Sequence, residues 1–238
     1  LLYTHFNKKA EELALEDYKP GDKLIPFKVV GEYKGPDLVG MEYEQLIPWV
    51  KPVTVDENGK WQEAAGEAFR VIPGDYVTTE DGTGIVHIAP TFGADDANVA
   101  RAAGIPSLFM INKKGETRPM VDLTGKFYLL DELDERFVKE CVDVDAYKEY
   151  QGRWVKNAYD PQFTVDGKYD EKAAQAAESL DVYICMMLKQ SGLAFKMEKH
   201  VHNYPHCWRT DKPVLYYPLD SWFIRTTACR ERMIELNN

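Results

Sequence analysis

The stretch Asp81-Gly82-Thr83-Gly84-Ile85-Val86-His87-Ile88-Ala89-Pro90-Thr91-Phe92-Gly93-Ala94-Asp95-Asp96 constrains this chain more than any other. Asp-Gly with a second glycine close behind marks a tight turn. Ile85 to Ala89 is a short apolar run, which reads as a buried strand with one polar side chain, His87, set into it. Pro90 has no N–H for a ladder and ends that strand. Gly93 allows a sharp turn, and Asp95 or Asp96 stands where a helix N-cap belongs, ahead of Ala97 to Ala103, with Asp95 assigned to the cap. A strand, a glycine turn and a helix start thus bring one imidazole and two carboxylates close together. Two plainer roles stay open: Asp95 as a cap and no more, and His87 as a core histidine bonded to a backbone carbonyl. A dinucleotide fingerprint is excluded, because Gly82 and Gly84 precede a strand and His87 holds the third glycine position.

The 238 residues carry 39 acidic and 29 basic side chains, a net charge of -10 with a pI near 5.1. That balance argues against a dedicated nucleic-acid module, which is expected to be basic, while leaving room for a local contact with an RNA end. Hydrophobic residues reach 45%, enough for a sizeable core. Cys141, Cys185, Cys207 and Cys229 show neither C-x-x-C spacing nor a disulfide framework, so they read as reduced thiols of a cytoplasmic protein. No run of 18 apolar residues predicts a membrane span. The start at Leu1, without methionine or a signal-like leader, suggests a fragment.

Along the chain, Asn7 to Asp17 reads as a short helix stopped by Pro20-Gly21. Strands are expected at Leu24–Tyr33, Leu38–Tyr43, Ala68–Val71, Tyr76–Thr78, Gly84–Ala89, Leu108–Ile111 and Leu193–Met197, with turns at Gly35-Pro36-Asp37 and Asn112–Gly115. Val53 to Glu67, with Asn58-Gly59, reads as a surface excursion, and Tyr159 to Asp170 as a loop. Helices are expected at Asp96–Ala103, Asp131–Tyr150 and Glu171–Ser191, the last closed by Gly192 as the C′ residue.

Gly-Thr-Gly-Ile-Val-His-x-Ala-Pro-x-x-Gly-x-x-Asp, Gly82 to Asp96, resembles the signature of the editing domain inserted into class I aminoacyl-tRNA synthetases. His87 points to the isoleucyl members of that group. Tyr204-Pro205-His206-Cys207-Trp208-Arg209, followed by Ser221-Trp222-Phe223-Ile224, resembles the point where such a chain re-enters its aminoacylation core. The resemblance implies an α/β fold with a β-barrel-like editing domain over residues 1–202, lacking its N-terminal part. Residues 203–238 would be the junction and return segment of the catalytic core. The junction is expected to be packed, with Trp208, Tyr216, Tyr217, Trp222 and Phe223 as its apolar content.

The implied activity is hydrolysis of misactivated valine, as valyl-tRNA or valyl-adenylate; the alternatives are a non-catalytic tRNA-binding module and a small metal-dependent hydrolase using Asp95, Asp96 and the His200–Cys207 cluster. The implied partners are the acceptor end of tRNA(Ile) and the rest of the synthetase chain. A pocket for isoleucine excludes valine poorly, because one methylene is worth only ~1–3 kcal/mol, a magnitude established on isoleucyl enzymes themselves. A second pocket that admits valine and rejects isoleucine by size corrects the error. By the resemblance, Asp96 is the catalytic carboxylate that holds the substrate α-ammonium. His87 forms the size-limiting wall. Thr91, Phe92 and Gly93 surround the substrate, and backbone N–H groups near Gly93 are candidate oxyanion donors. No covalent nucleophile is required. The threonine-rich peptide and the ATP motif of the family would precede Leu1, and the KMSKS-type loop would follow Asn238. ATP and Mg therefore belong to the parent enzyme, and no cofactor is expected in this stretch.

His200, His202, His206 and Cys207 are four potential ligands within eight residues, but their spacing does not match the common zinc sites. Some bacterial isoleucyl enzymes place a second zinc-holding cysteine three residues after the one matching Cys207. Here that position is Thr210, and no metal site is expected.

Overall fold

The computed structural model describes residues 8–11, 13–19, 22, 24–78, 84–194, 197, 203–219 and 221–237. The Asp81–Thr83 part of the first turn, His200 and the boundary at His202 lie outside the described residues. So do Asn7 and Glu12 of the helix expected at Asn7–Asp17, whose described residues form two separate 3-10 turns, Lys8–Ala10 and Leu15–Asp17, and so does part of the Leu193–Met197 strand.

Side-chain caps cut this chain into short elements. Asp134 accepts the Phe137 N–H at 2.8 Å and starts α4, Glu135–Cys141. Two residues beyond that helix Asp143 caps α5, Val144–Tyr147, through the Ala146 N–H. Asp170 starts α6, Glu171–Ala176, and Ser179 starts α7, Leu180–Gln190. A side-chain oxygen that satisfies a free helix N–H makes a new start where periodicity alone would continue. The single helices expected at Asp131–Tyr150 and Glu171–Ser191 are therefore each divided. Gly192, at φ 72°, does close α7.

Earlier in the chain come α1, Gly35–Leu38; β1, Val53–Val55; β2, Trp61–Glu63; α2, Ala65–Ala68; α3, Ala94–Ala102; β3, Met110–Ile111; and β4, Thr117–Arg118. β5, Thr164–Val165, and β6, Lys168–Tyr169, lie between α5 and α6, and α8 is Arg230–Asn237. Each sheet among the described residues is a two-stranded antiparallel pair, β1 with β2, β3 with β4 and β5 with β6. The architecture is mixed α/β, and these residues form no closed barrel. The stretches expected as strands at Leu24–Tyr33 and Tyr76–Thr78 join no ladder. Leu38–Tyr43 and Ala68–Val71 do pair antiparallel around the Glu42–Arg70 bridge, through the Gly40 N–H on the Val71 carbonyl at 2.9 Å, the Val71 N–H on the Met41 carbonyl at 2.8 Å and the Tyr43 N–H on the Phe69 carbonyl at 2.9 Å, without forming a longer ladder. The proline-containing turn at Gly35 instead closes one helical turn, because Asp37 accepts the Lys34 N–H at 2.9 Å.

The core lies where the caps bring α4 and α5 against the β1–β2 hairpin. Asp56 organises that hairpin by accepting the Asn58 and Lys60 N–H groups at 2.9 and 2.8 Å. Val53 and Trp61 are buried, so this segment is part of the core and not a surface excursion. Trp61 meets Phe137 edge-on at 5.7 Å, with the Arg136 guanidinium 4.2 Å from the indole centre. Trp49 stacks on Tyr150 at 3.6 Å. Tyr147 is fully buried and donates its hydroxyl to the Tyr128 carbonyl at 2.8 Å, so its polar end is satisfied.

Part of the C-terminal region docks on this body. Tyr217 donates to the Val121 carbonyl at 3.0 Å, and Lys212 donates to the Thr164 hydroxyl at 3.0 Å. Of the expected junction aromatics, only Tyr217 packs against the core. Trp208, Trp222 and Phe223 are 88%, 103% and 91% exposed. Tyr216 is exposed too, edge-on to Tyr204.

Candidate functional site

Residues 84 to 96 run from an extended strip through a turn into α3. Gly84 has φ 74°, a left-handed conformation that glycine adopts at no steric cost. Ile85 to Ala89 join no ladder, and Ile85, Val86 and His87 are exposed. The buried strand expected here is thus an open strip, and His87 is not a core histidine.

The turn is tied down from both sides. The Phe92 N–H reaches the Ala89 carbonyl at 3.1 Å. Thr91 is buried and donates its hydroxyl to the Leu108 carbonyl at 3.2 Å. Phe92 packs against the core and meets Tyr217 edge-on at 6.5 Å. The side chains of Thr91 and Phe92, expected around a substrate, are therefore engaged with the interior.

α3 begins at Ala94, one residue before the expected cap. Its N-cap residue is Gly93, which offers no side chain, and the first turn carries no side-chain cap. Asp95 is exposed inside that turn, so the capping role expected for it does not hold. Asp96 is half-buried, and its Oδ2 accepts the Ala89 N–H at 2.9 Å. This charge-assisted bond spans seven residues and clasps the His87 strip to the start of α3. His87 lies two residues before the clasped N–H. The structure thus ties the strip that carries His87 to the start of α3, where Gly93 and Asp96 lie at a helix terminus whose dipole favours negative charge. A link from Asp96 to a backbone amide leaves no trace in residue identities, and sequence reasoning missed it.

One concavity of about 500 Å³ is lined by Thr226, Thr227, Arg230, Met233, Ile234 and Asn237, and a second of about 360 Å³ lies against Leu13, Asp17, Tyr18 and Leu24. Neither includes a residue of the 84–96 cluster. Cys207 sits in a tight hairpin, its N–H on the Lys212 carbonyl and its own carbonyl accepting from Asp211, both at 2.8 Å. The Thr210 hydroxyl and then the Arg209 and Thr210 N–H groups pull the thiol down to about 7. Thr210, at the position of the family's second zinc-holding cysteine, thus favours the Cys207 thiolate. His206 Nδ1 is hydrogen-bonded with the Tyr204 carbonyl at 2.8 Å. Among the described residues, no three His, Cys, Asp or Glu side chains are grouped as a metal site. All four cysteines are free, and burial pushes the Cys141 thiol up to about 11. No helix among these residues is long and apolar enough to cross a membrane.

No family model matches the chain. Curated proteins do. An isoleucine–tRNA ligase of Bacteroides thetaiotaomicron is 84% identical over 237 residues, covering 100% of this chain and 20% of that protein. One from Porphyromonas gingivalis is 55% identical over 239 residues, 100% of this chain and 19% of the relative. One from Clostridium tetani is 36% identical over 212 residues, 89% of this chain and 15% of the relative. The chain spans about a fifth of the length of the first of these relatives. It belongs to the isoleucine–tRNA ligases, as one segment of such a protein.

Proposed function

We propose that this segment carries the editing site of an isoleucine–tRNA ligase and hydrolyses valine from misacylated tRNA(Ile), with valyl-adenylate as a second substrate. The observation that carries this reading is the clasped carboxylate. Asp96 is held by one oxygen on the Ala89 N–H, at the mouth of an uncapped helix and beside the exposed His87 strip. On this reading the free side of the Asp96 carboxylate receives the α-ammonium of the valyl group. His87 stands where the amino-acid side chain ends and sets the size limit. Thr91 and Phe92 act by anchoring the turn to the core. The N–H groups of the first turn of α3 face developing negative charge.

The reaction needs no covalent enzyme intermediate. A water oxygen bonds to the ester carbonyl carbon, and the carbonyl electron pair moves onto its oxygen. Collapse of that oxyanion breaks the bond to the terminal ribose oxygen, which takes the proton lost by the water. Valine and intact tRNA(Ile) leave. The barrel-like editing domain over residues 1–202 and the return segment over residues 203–238 form the proposed organisation. Aminoacylation with isoleucine, ATP and Mg is assigned to the rest of the synthetase chain, in the cytoplasm, and no residue here is assigned to it.

The test is deacylation of valyl-tRNA(Ile) and isoleucyl-tRNA(Ile) by the full-length ligase, with this chain alone run beside it. The full-length ligase should release valine and spare isoleucine. Equal rates on the two esters, or binding of both without hydrolysis, would overturn the reading, the second outcome pointing to a tRNA-binding module.

A further inference from the structure

Gly93 has extended backbone, φ −142° and ψ 131°, which any residue adopts. Glycine is therefore not required here for conformational freedom. It is required for space. A Cβ on Gly93 would lie 3.1 Å from both the Cβ and the Cγ of Asp96 and 3.2 Å from its Oδ2. Comfortable carbon contacts are about 3.5–4.0 Å. The position of the crowded Asp96 Cβ is fixed by the α3 backbone, so it cannot swing aside as a side-chain tip does. The first turn of that helix is closed by the Ala97 N–H on the Gly93 carbonyl at 2.8 Å. Oδ2 is also committed, to the Ala89 N–H at 2.9 Å. No hydrogen bond to Oδ1 is seen among the described residues.

We infer that Gly93 is a positioning residue, whose missing side chain keeps the Asp96 carboxylate clasped to Ala89 by one oxygen and open to the substrate ammonium by the other. The inference rests on the editing reading. It names a determinant that acts through Asp96. A methyl group at position 93 moves the carboxylate or the helix start by a few tenths of an ångström, and misplacement of this kind costs rate steeply.

The experiment compares two esters of tRNA(Ile) in the full-length ligase, valyl and 2-hydroxy-3-methylbutanoyl, which differ only in the ammonium. Gly93→Ala should lower the ratio of valyl to hydroxyacyl deacylation about tenfold. General damage to the site lowers both rates and leaves the ratio alone. Ala89→Pro, which deletes the clasping N–H but keeps the space at Gly93, should lower the ratio as well. Isoleucine-dependent pyrophosphate exchange reports whether each variant is folded, and a folded Ala89→Pro decides if Gly93→Ala is not. Asp96→Asn separates the two layers. A ratio unchanged in Asp96→Asn removes the ammonium role on which the inference rests. A ratio that collapses in Asp96→Asn yet stays at the wild-type value in folded Gly93→Ala overturns the positioning inference alone.

Discussion

Asp96 has two jobs in this account, and two substitutions tell them apart. Asp96→Ala removes both the negative charge and the acceptor for the Ala89 N–H at 2.9 Å. A hydrogen bond to a charged group contributes about 1.5–3 kcal/mol, and the half-exposed setting places this one near the lower end. Asp96→Asn keeps an amide oxygen for Ala89 and loses only the charge. Leaving a buried ammonium without its partner costs about 2–5 kcal/mol. If the pair is made in the transition state, that is about thirty- to several-thousand-fold in rate. In the full-length ligase both variants should lose deacylation of valyl-tRNA(Ile) by at least the smaller factor and keep isoleucine-dependent pyrophosphate exchange. Only Asp96→Ala should also lower the unfolding free energy, by about 1.5 kcal/mol. Asp95→Ala is the control, since that side chain is exposed and caps nothing. Its contribution through the helix dipole is about 0.3–1 kcal/mol, and editing should survive its loss. Wild-type deacylation in Asp96→Asn would refute the reasoning, and a dead Asp95→Ala would show the carboxylates assigned the wrong way round.

His87→Ala should open the size limit, so that the full-length ligase hydrolyses isoleucyl-tRNA(Ile); a variant that spares it while releasing valine normally removes His87 from the sieve. Phe137 is fully buried against Trp61, and Phe137→Ala should cost about 3–5 kcal/mol in denaturant unfolding of the chain. The Cys207 thiol should alkylate with a midpoint near pH 7, and Thr210→Val should move that midpoint upward, because the Thr210 hydroxyl is the main group favouring the thiolate. The linkage follows the same sign. A thiol depressed to about 7 in the folded state adds stability above its ordinary value of 9.0, and that contribution is lost as pH falls through 7.

The 84–96 stretch was legible as a unit because its glycines, proline and carboxylates are local signals. Its strand was not, because an apolar run of five residues does not say whether a partner strand exists to pair with it. Asp134, Asp143 and Ser179 are good caps lying inside periodic runs, and periodicity hid the breaks they make. Asn58-Gly59 did mark a turn, yet the polar residues around it concealed that Trp61 faces the core. In the sequence Gly93 reads as a bend, and only the fold shows that it reserves space beside Asp96. The exposed Trp222 and Phe223 show the limit of reading a segment alone, since the chain spans about a fifth of its relatives.

The most direct test of the editing assignment is a crystal structure of the full-length ligase with a non-hydrolysable valyl-adenosine analogue. The account predicts the ligand ammonium within about 3 Å of the Asp96 carboxylate, with the Ala89 clasp intact and the isopropyl group toward His87. An analogue seated elsewhere, with Asp96 bonded to Ala89 and to nothing on the ligand, would contradict it.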